Sequence, residues 1–252
     1  MSRLRDGFCP GTLICYLTAG FPNLDKSVEL ALACVRGGAD VIEIGVPFTD
    51  PVADGPVIQM TSRLALERGM TPSRAFDVVA RVRAETDVPI VLMGYYNPIF
   101  RIGEQEYAEQ AVRAGADGLI VPDLPMEESS GLERACRAND IDLIQLVGKT
   151  TSPQRMAAIA RHSSGFLYLV SGMGTTGGNR EMGASVRELV ERARLAAGDL
   201  PVGIGFGVVS HEQVRTLHDY GADGVIVGSA LLQRIAGGAS AREVEEFVAS
   251  LR

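Results

Sequence analysis

One glutamate interrupts an apolar stretch, residues 41–46 (VIEIGV), that has the character of a buried β-strand. Burial disfavours the charged form of a carboxyl group, so we expect the pKa of Glu43 to be raised. A raised pKa suits a group that gives and takes a proton near neutral pH. The strand sequence alone is equally consistent with a structural role, in which Glu43 pairs with a buried arginine or with a backbone group.

Two further carboxylates, Asp50 and Asp54, follow in the loop sequence TDPVADGP. A strand carboxyl and a loop carboxyl have different surroundings and therefore different pKa values, which is how an acid and a base are told apart. Asp-Gly is also a common turn sequence, so Asp54 has a turn-capping role as its alternative. The pair Glu43 and Asp54 is our candidate for acid–base catalysis.

Glycine-rich segments follow three successive apolar runs, at residues 172–178, 203–207 and 228–230. In the last of them, Gly228 and Ser229 precede Ala-Leu-Leu and suit the start of a helix, whose free N–H groups bind anions. The three segments together predict a phosphate site. Turn glycines without any ligand are the alternative.

Other chemistries find less support. His162, His211 and His218 all fall in helical segments, so we predict no metal site. A Gly-x-Gly-x-x-Gly motif does not follow the first strand, so a dinucleotide cofactor is not indicated. Lys149 follows the fifth apolar run, where a Schiff-base lysine could act, and this keeps an aldolase open as another class of enzyme.

Eight short apolar runs alternate with helical patterns, which predicts parallel strands joined by helices. The predicted strands are 12–18, 41–46, 89–93, 118–121, 142–147, 165–170, 201–204 and 224–227, and the predicted helices are 25–36, 71–85, 103–113, 126–138, 152–162, 185–197, 210–220 and 241–251. Eight such units in 252 residues are typical of one (β/α)₈ TIM barrel, an α/β fold, so we predict a single domain over 1–252. An open doubly wound sheet is the alternative.

Two loops, 47–61 and 171–183, are the longest that follow strands. In a TIM barrel they lie on the C-terminal face, where active sites are built and where phosphate is held by the last strands. We therefore expect the carboxyl pair and the phosphate site, at the ends of strands 6–8, to share this face.

A Gly-Ala-Asp triplet occurs three times between a helical pattern and an apolar run, at residues 38–40, 115–117 and 221–223. The glycine suits a helix C-cap, and the apolar run suits a strand buried on both faces. The triplet is therefore predicted to mark a joint from helix to strand.

Composition restricts the possible partners and the location. The net charge is −7 and no block of lysine or arginine interrupts it, which argues against nucleic acid and anionic membranes. No apolar run approaches the length of a membrane span, and the N-terminus lacks the apolar core of a signal peptide. Four cysteines without C-x-x-C spacing, Cys9, Cys15, Cys34 and Cys136, suit buried reduced thiols in a cytoplasmic protein.

The stretch IEIGVPFTDPVADGP at residues 42–56 resembles the signature of the tryptophan synthase alpha chain family. Supporting similarities run along nearly the whole chain: TAG at 18–20, YYNP at 95–98, VPDLP at 121–125, Tyr168 with Ser171, Gly174, Thr176 and Gly177, then GFG at 205–207 and GS at 228–229. The residues before the first strand are few, so the helix that caps the barrel bottom in this family looks truncated.

The resemblance implies cleavage of indole-3-glycerol phosphate to indole and glyceraldehyde 3-phosphate, in tryptophan biosynthesis. It implies the following roles: Glu43 protonates indole C3, Asp54 binds the indole N–H, Tyr168 lies beside the glutamate, Gly177, Gly207, Gly228 and Ser229 bind phosphate, and Phe206 and Met93 line the indole pocket. It implies no cofactor in this chain, and a pyridoxal-phosphate beta chain as partner in an α₂β₂ heterotetramer. A stand-alone lyase that supplies indole to another pathway, and a barrel without catalytic activity, are the remaining alternatives.

Overall fold

Eight parallel strands close into a barrel in chain order in the computed structural model, which describes residues 3–170 and 183–252. The strands are β1 Thr12–Thr18, β2 Val41–Gly45, β3 Ile90–Met93, β4 Gly118–Ile120, β5 Asp142–Gly148, β6 Leu167–Val170, β7 Val202–Gly205 and β8 Gly224–Val227. β8 pairs with β1, so the sheet has no edge. The predicted TIM barrel is thereby confirmed, and the open sheet was the wrong alternative.

Twelve helices occur within the described residues, most of them outside the barrel. They are α1 Arg3–Gly7, α2 Leu24–Arg36, α3 Pro56–Glu67, α4 Pro72–Arg83, α5 Tyr96–Ile102, α6 Glu104–Ala114, α7 Ser130–Ala138, α8 Pro153–Arg161, α9 Ala184–Ala197, α10 His211–Asp219, α11 Ser229–Ala236 and α12 Ala241–Ala249. The eight predicted helices correspond to α2, α4, α6, α7, α8, α9, α10 and α12, with ends shifted by a few residues.

The loop predicted over 47–61 is shorter than expected, because α3 begins inside it. Gly55 is the N-cap and Pro56 is the first helical residue, a position where the missing N–H of proline costs no hydrogen bond. The loop therefore ends within one residue of Asp54, and the start of α3 fixes where Asp54 can lie.

The Gly-Ala-Asp triplets mark helix-to-strand joints, as predicted. Their glycines have positive φ values, 99°, 97° and 100° for Gly38, Gly115 and Gly221, which favour glycine. Each aspartate accepts a backbone N–H from the start of a neighbouring strand at 2.8 Å: Asp40 from Leu13, Asp117 from Ile90 and Asp223 from Val202. The repeat thus supplies acceptors at the N-terminal end of the barrel, opposite the predicted site.

The N-terminal residues close that end of the barrel although they are few. Leu4 of α1 is fully buried, and a methyl group on Gly165 would lie 2.7 Å from its Cδ2. Phe8 stacks on Phe166 with ring centroids 4.8 Å apart. The helix α1 is only five residues long, and its Leu4 together with Phe8 covers the bottom of the barrel.

The cysteines differ in one respect from the prediction. Cys15, Cys34 and Cys136 are buried free thiols, but Cys9 is exposed because it lies in the turn before β1. Within residues 3–170 and 183–252, none of the helices has the length and apolar character needed to span a bilayer.

Candidate active site

Glu43 lies inside the barrel and is 1% exposed. It is the middle residue of β2, in register with Tyr16 of β1 and Val91 of β3. Neither of its carboxyl oxygens has a hydrogen-bond partner in the described part of the chain. Buried polar groups are normally paired, so an orphaned carboxyl calls for a functional reason. Among the described residues, neither an arginine nor a backbone group is hydrogen-bonded to the Glu43 carboxyl, so the structural alternative is not supported.

Burial, together with a smaller contribution from the negative charge of nearby Asp54, raises the pKa of Glu43 to about 8. Low-dielectric surroundings penalise the carboxylate far more than the neutral acid. Glu43 is therefore protonated at neutral pH and is poised to donate a proton into the barrel mouth.

Asp54 is half-buried in the loop between β2 and α3. Burial raises its pKa to about 6, while a hydrogen bond from Tyr95 opposes that shift. The two carboxyl groups thus differ in pKa by enough to hold opposite states at pH 7, with Glu43 neutral and Asp54 ionised. This difference in pKa identifies Glu43 as the candidate proton donor and Asp54 as the candidate hydrogen-bond acceptor.

Tyr95, two residues after the end of β3, holds the loop that carries Asp54. Its hydroxyl accepts the Ala53 N–H at 3.0 Å and hydrogen-bonds to Asp54. Phe48 stacks on the Tyr95 ring with centroids 5.0 Å apart. No role was predicted for Tyr95, although it stands in the YYNP similarity near the end of a strand, where site residues are expected.

Two buried tyrosines surround Glu43, namely Tyr16 on β1 and Tyr168 on β6. Burial raises the pKa of each well above its ordinary value, and the nearby carboxylates add to the shift. Both phenols are therefore neutral. A methyl group on Gly205 would lie 3.2 Å from the Tyr168 hydroxyl oxygen, and one on Gly45 would overlap the Tyr16 hydroxyl, so both glycines make room for phenols.

The predicted phosphate-binding residues lie at the same face. Gly228 is the N-cap of α11 and Ser229 is its first residue, directly after β8. Gly207, just beyond β7, is exposed, has φ 71° and has open space where a side chain would be. Gly177 lies outside the described residues, as do Ser171, Gly174 and Thr176.

The two predicted indole-pocket residues also lie at strand ends. Met93 is the last residue of β3 and is in register with Gly45, so its half-buried side chain faces the same side as Glu43. Phe206 is half-buried and follows the last residue of β7.

The other candidates are less well placed. Lys149 follows β5 but is exposed, whereas a Schiff-base lysine is activated by desolvation or by a neighbouring cation. His162 is the C-cap of α8 and bonds Glu133, and His218 bonds the Ala222 carbonyl, both on outer helices. Across the described ranges, no group of histidine, cysteine and carboxylate side chains has a metal-binding arrangement.

Comparison with known proteins gives consistent similarities. Residues 9–251 match the sequence profile of the family described as tryptophan synthase alpha chain. The chain is 44% identical to the tryptophan synthase alpha chain of Methanosarcina barkeri, over 95% of this chain and 89% of that protein. It is 46% identical to the one of Methanosarcina mazei, over 95% and 86%.

Solved structures show the same similarity in three dimensions. A tryptophan synthase complex from Pyrococcus furiosus contains a chain with TM-score 0.90 and 37% identity, with 97% of this chain and 98% of that chain covered. Tryptophan synthase from Mycobacterium tuberculosis gives TM-score 0.89 and 36% identity, with coverage of 98% and 93%.

Proposed function

This chain belongs to the tryptophan synthase alpha chain family, and we propose that Glu43 and Asp54 are the acid–base pair with which it carries out that family's reaction. The reaction is the cleavage of indole-3-glycerol phosphate to indole and glyceraldehyde 3-phosphate, a carbon–carbon lyase step of tryptophan biosynthesis. The observation that carries the proposal is the buried Glu43 carboxyl, which has no hydrogen-bond partner among the described residues and has Asp54 near it at the barrel mouth. Burial raises the pKa of both groups, to about 8 for Glu43 and about 6 for Asp54.

In the proposed mechanism the protonated Glu43 donates its proton to indole C3. The ring becomes an indoleninium, whose C=N bond is the electron sink, while the ionised Asp54 stabilises the charge at the N–H. The Glu43 carboxylate then takes the proton of the glycerol hydroxyl next to the ring. That oxygen forms the aldehyde carbonyl, the C–C bond breaks, and its electrons return to the ring to give indole. Glu43 ends the cycle protonated, as it began.

Substrate binding in this proposal uses the same face of the barrel. The first N–H groups of α11, from Ser229 onward, would hold the phosphate together with Gly228 and Gly207, because a helix N-terminus favours an anion. Gly177, outside the described residues, is proposed to complete this cradle. Met93 and Phe206 would flank the indole, and Tyr168 would supply a neutral wall beside Glu43.

A beta-chain partner is supported by two exposed apolar side chains close to the site. Val52 is 76% exposed in the loop that carries Asp54, and Phe100 is 67% exposed on α5, which follows Tyr95. A partner that covered both side chains would contact the loop that carries Asp54 and the helix that follows Tyr95, the two segments that hold Asp54 in place. We therefore propose docking of a pyridoxal-phosphate beta chain here, in an α₂β₂ heterotetramer, and activation through Asp54. A stand-alone lyase is the alternative.

The test is a steady-state assay of the purified chain with indole-3-glycerol phosphate, in which indole and glyceraldehyde 3-phosphate are both measured, first alone and then with a beta chain. Release of both products supports the lyase assignment, and acceleration by the beta chain supports the partner. Phe100→Asp should abolish the acceleration, while Leu195→Asp, at an 86% exposed leucine of α9, should leave it intact. We also propose a cytoplasmic location, because the phosphorylated substrate and product belong to the cell's own biosynthesis.

A further inference from the structure

The first N–H group of helix α5 is bound by a side chain from a neighbouring loop. Tyr96 is the first residue of α5, and its N–H donates to the Asp123 Oδ1 atom at 2.9 Å. Asp123 belongs to the loop after β4, 27 residues farther along the chain. The first N–H groups of a helix have no acceptor inside the helix, so each needs one from outside. Asp123 therefore caps α5 from another loop.

Tyr95 occupies the N-cap position of α5 but does not cap the helix with its side chain. Serine, threonine, asparagine or aspartate usually stands at this position and accepts an N–H of the first turn. The Tyr95 hydroxyl instead accepts the N–H of Ala53 at 3.0 Å, in the loop that carries Asp54. The N-cap side chain is thus committed to the candidate site, and Asp123 supplies the acceptor that the helix otherwise lacks.

Asp123 lies in a tight turn with buried residues on both sides, although its own side chain is exposed. Val121 and Leu124 are each 5% exposed, and the Leu124 N–H donates to the Val121 carbonyl oxygen at 3.2 Å. The core therefore holds the backbone that carries the Asp123 carboxylate.

The backbone is held on both sides of Tyr95. Before it, the Gly94 N–H donates at 3.0 Å to the carbonyl oxygen of Ile120, the last residue of β4. After it, the Tyr96 N–H donates to Asp123. A peptide group is planar, so the Tyr96 N–H and the Tyr95 carbonyl move together. The two hydrogen bonds therefore fix the direction in which the Tyr95 phenol points.

We propose that Asp123 is a positioning residue for Asp54. By holding the Tyr96 N–H it fixes Tyr95, and the Tyr95 hydroxyl in turn holds the loop that carries Asp54. The loops after β2, β3 and β4 are thereby joined in one row of hydrogen bonds. This inference rests on the proposed function of Asp54, and it assigns a role to an exposed carboxylate that takes no part in the proposed proton transfers.

The test uses two substitutions of Asp123. Asp123→Ala removes the acceptor, whereas Asp123→Asn keeps a side-chain carbonyl oxygen and removes only the charge. Loss of one hydrogen bond changes a rate about fivefold, the equivalent of about 1 kcal/mol. We expect kcat to fall by about that factor in Asp123→Ala and to be restored in Asp123→Asn.

Glu128→Ala is the matched control. Glu128 is another exposed carboxylate of the same loop, and its charge also acts on Tyr96. The Tyr96 N–H keeps its acceptor in this variant, because that acceptor is Asp123. We therefore expect Glu128→Ala to retain the kcat of the wild type.

A double-mutant cycle separates positioning from a purely structural role. Tyr95→Phe removes the hydroxyl through which Asp123 is proposed to act. In that background Asp123→Ala should cause no further loss of kcat, because the second change affects a link that is already broken. A contribution of Asp123 to folding alone would instead lower the midpoint of thermal unfolding equally in both backgrounds.

The outcomes are distinct. A loss of kcat in Asp123→Ala that is restored in Asp123→Asn and absent in the Tyr95→Phe background supports the proposal. Full activity of Asp123→Ala, an equal loss in Asp123→Asn, or an undiminished loss in the Tyr95→Phe background would overturn it. Thermal unfolding of every variant shows whether a rate change is only a loss of folded protein. A wild-type chain that releases no indole in the same assay would instead refute the proposed function.

Discussion

The Tyr95 hydroxyl bonds the Asp54 side chain and accepts the N–H of Ala53, the residue before it, at 3.0 Å. One phenol therefore fixes both the backbone and the carboxyl of the loop aspartate. Because Tyr95 lies two residues after the end of β3, the loop after β2 is anchored to the segment that follows the neighbouring strand. The position of Asp54 is thus set by the barrel and not by the loop sequence alone.

Tyr95→Phe should raise the pKa of Asp54, because the lost hydrogen bond favours the ionised form. The acidic limb of kcat/KM should move to higher pH, so activity falls most below pH 7 and recovers as pH rises. Rate–pH profiles of wild type and variant measure the shift. An acidic limb that stays in place, with a uniform loss at all pH values, would show that Tyr95 does not act through Asp54.

The wild-type profile should be bell-shaped. The active form has Asp54 ionised and Glu43 protonated, so kcat/KM should rise as pH increases through about 6 and fall as pH increases through about 8. Because the two groups interact, the two limbs report the pair. A rate that keeps rising beyond pH 9 would mean that Glu43 is needed as a carboxylate and not as the acid.

The sequence was sufficient for the barrel because its strands and helices follow distinct periodicities and the Gly-Ala-Asp joints repeat. Glu43 could be predicted as a site residue because it is the ionisable residue in an otherwise apolar strand. No role was predicted for Tyr16, because its place beside Glu43 depends on the register between β1 and β2. Helix α3 was missed because it begins in a proline- and glycine-rich loop. The exposure of Cys9 and Lys149 could not be predicted either, because the position of a residue along the sequence does not determine how exposed its side chain is in the fold.

Ser229→Pro should weaken phosphate binding while the helix survives. Proline is tolerated at the first position of a helix, and it removes one N–H donor. We expect KM for indole-3-glycerol phosphate to rise by about tenfold, the equivalent of one charge-assisted hydrogen bond, with a smaller change in kcat. Ser229→Ala, which keeps the N–H, is the control. Equal KM values for the two variants would rule out a backbone donor at this position.

Leu4→Ala should destabilise the barrel without touching its chemistry. Leu4 is fully buried beneath the strands, and truncation of a buried leucine costs about 2–5 kcal/mol in the free energy of unfolding. Leu195→Ala, at a leucine that is 86% exposed, should change that free energy by about 0.5 kcal/mol or less. Urea unfolding of both variants tests the difference. Equal stabilities would mean that α1 does not close the barrel bottom.

We expect the Glu43→Gln substitution not to lower the free energy of unfolding. Burial raises the pKa of Glu43 from 4.5 to about 8, so its ionisation opposes folding. Its contribution to stability therefore declines as pH rises above about 4.5 and levels off above about 8. Glutamine cannot ionise, so Glu43→Gln should be at least as stable as wild type at pH 8.

The most direct test of the central claim is turnover of indole-3-glycerol phosphate by Glu43→Gln, compared with wild type and with Glu29→Gln, a change at an exposed glutamate of α2. We predict that Glu43→Gln lowers kcat by about 10²-fold or more, the scale of general acid–base catalysis, while KM changes little and Glu29→Gln retains full activity. Near-wild-type turnover by folded Glu43→Gln would contradict the assignment of Glu43 as the catalytic acid.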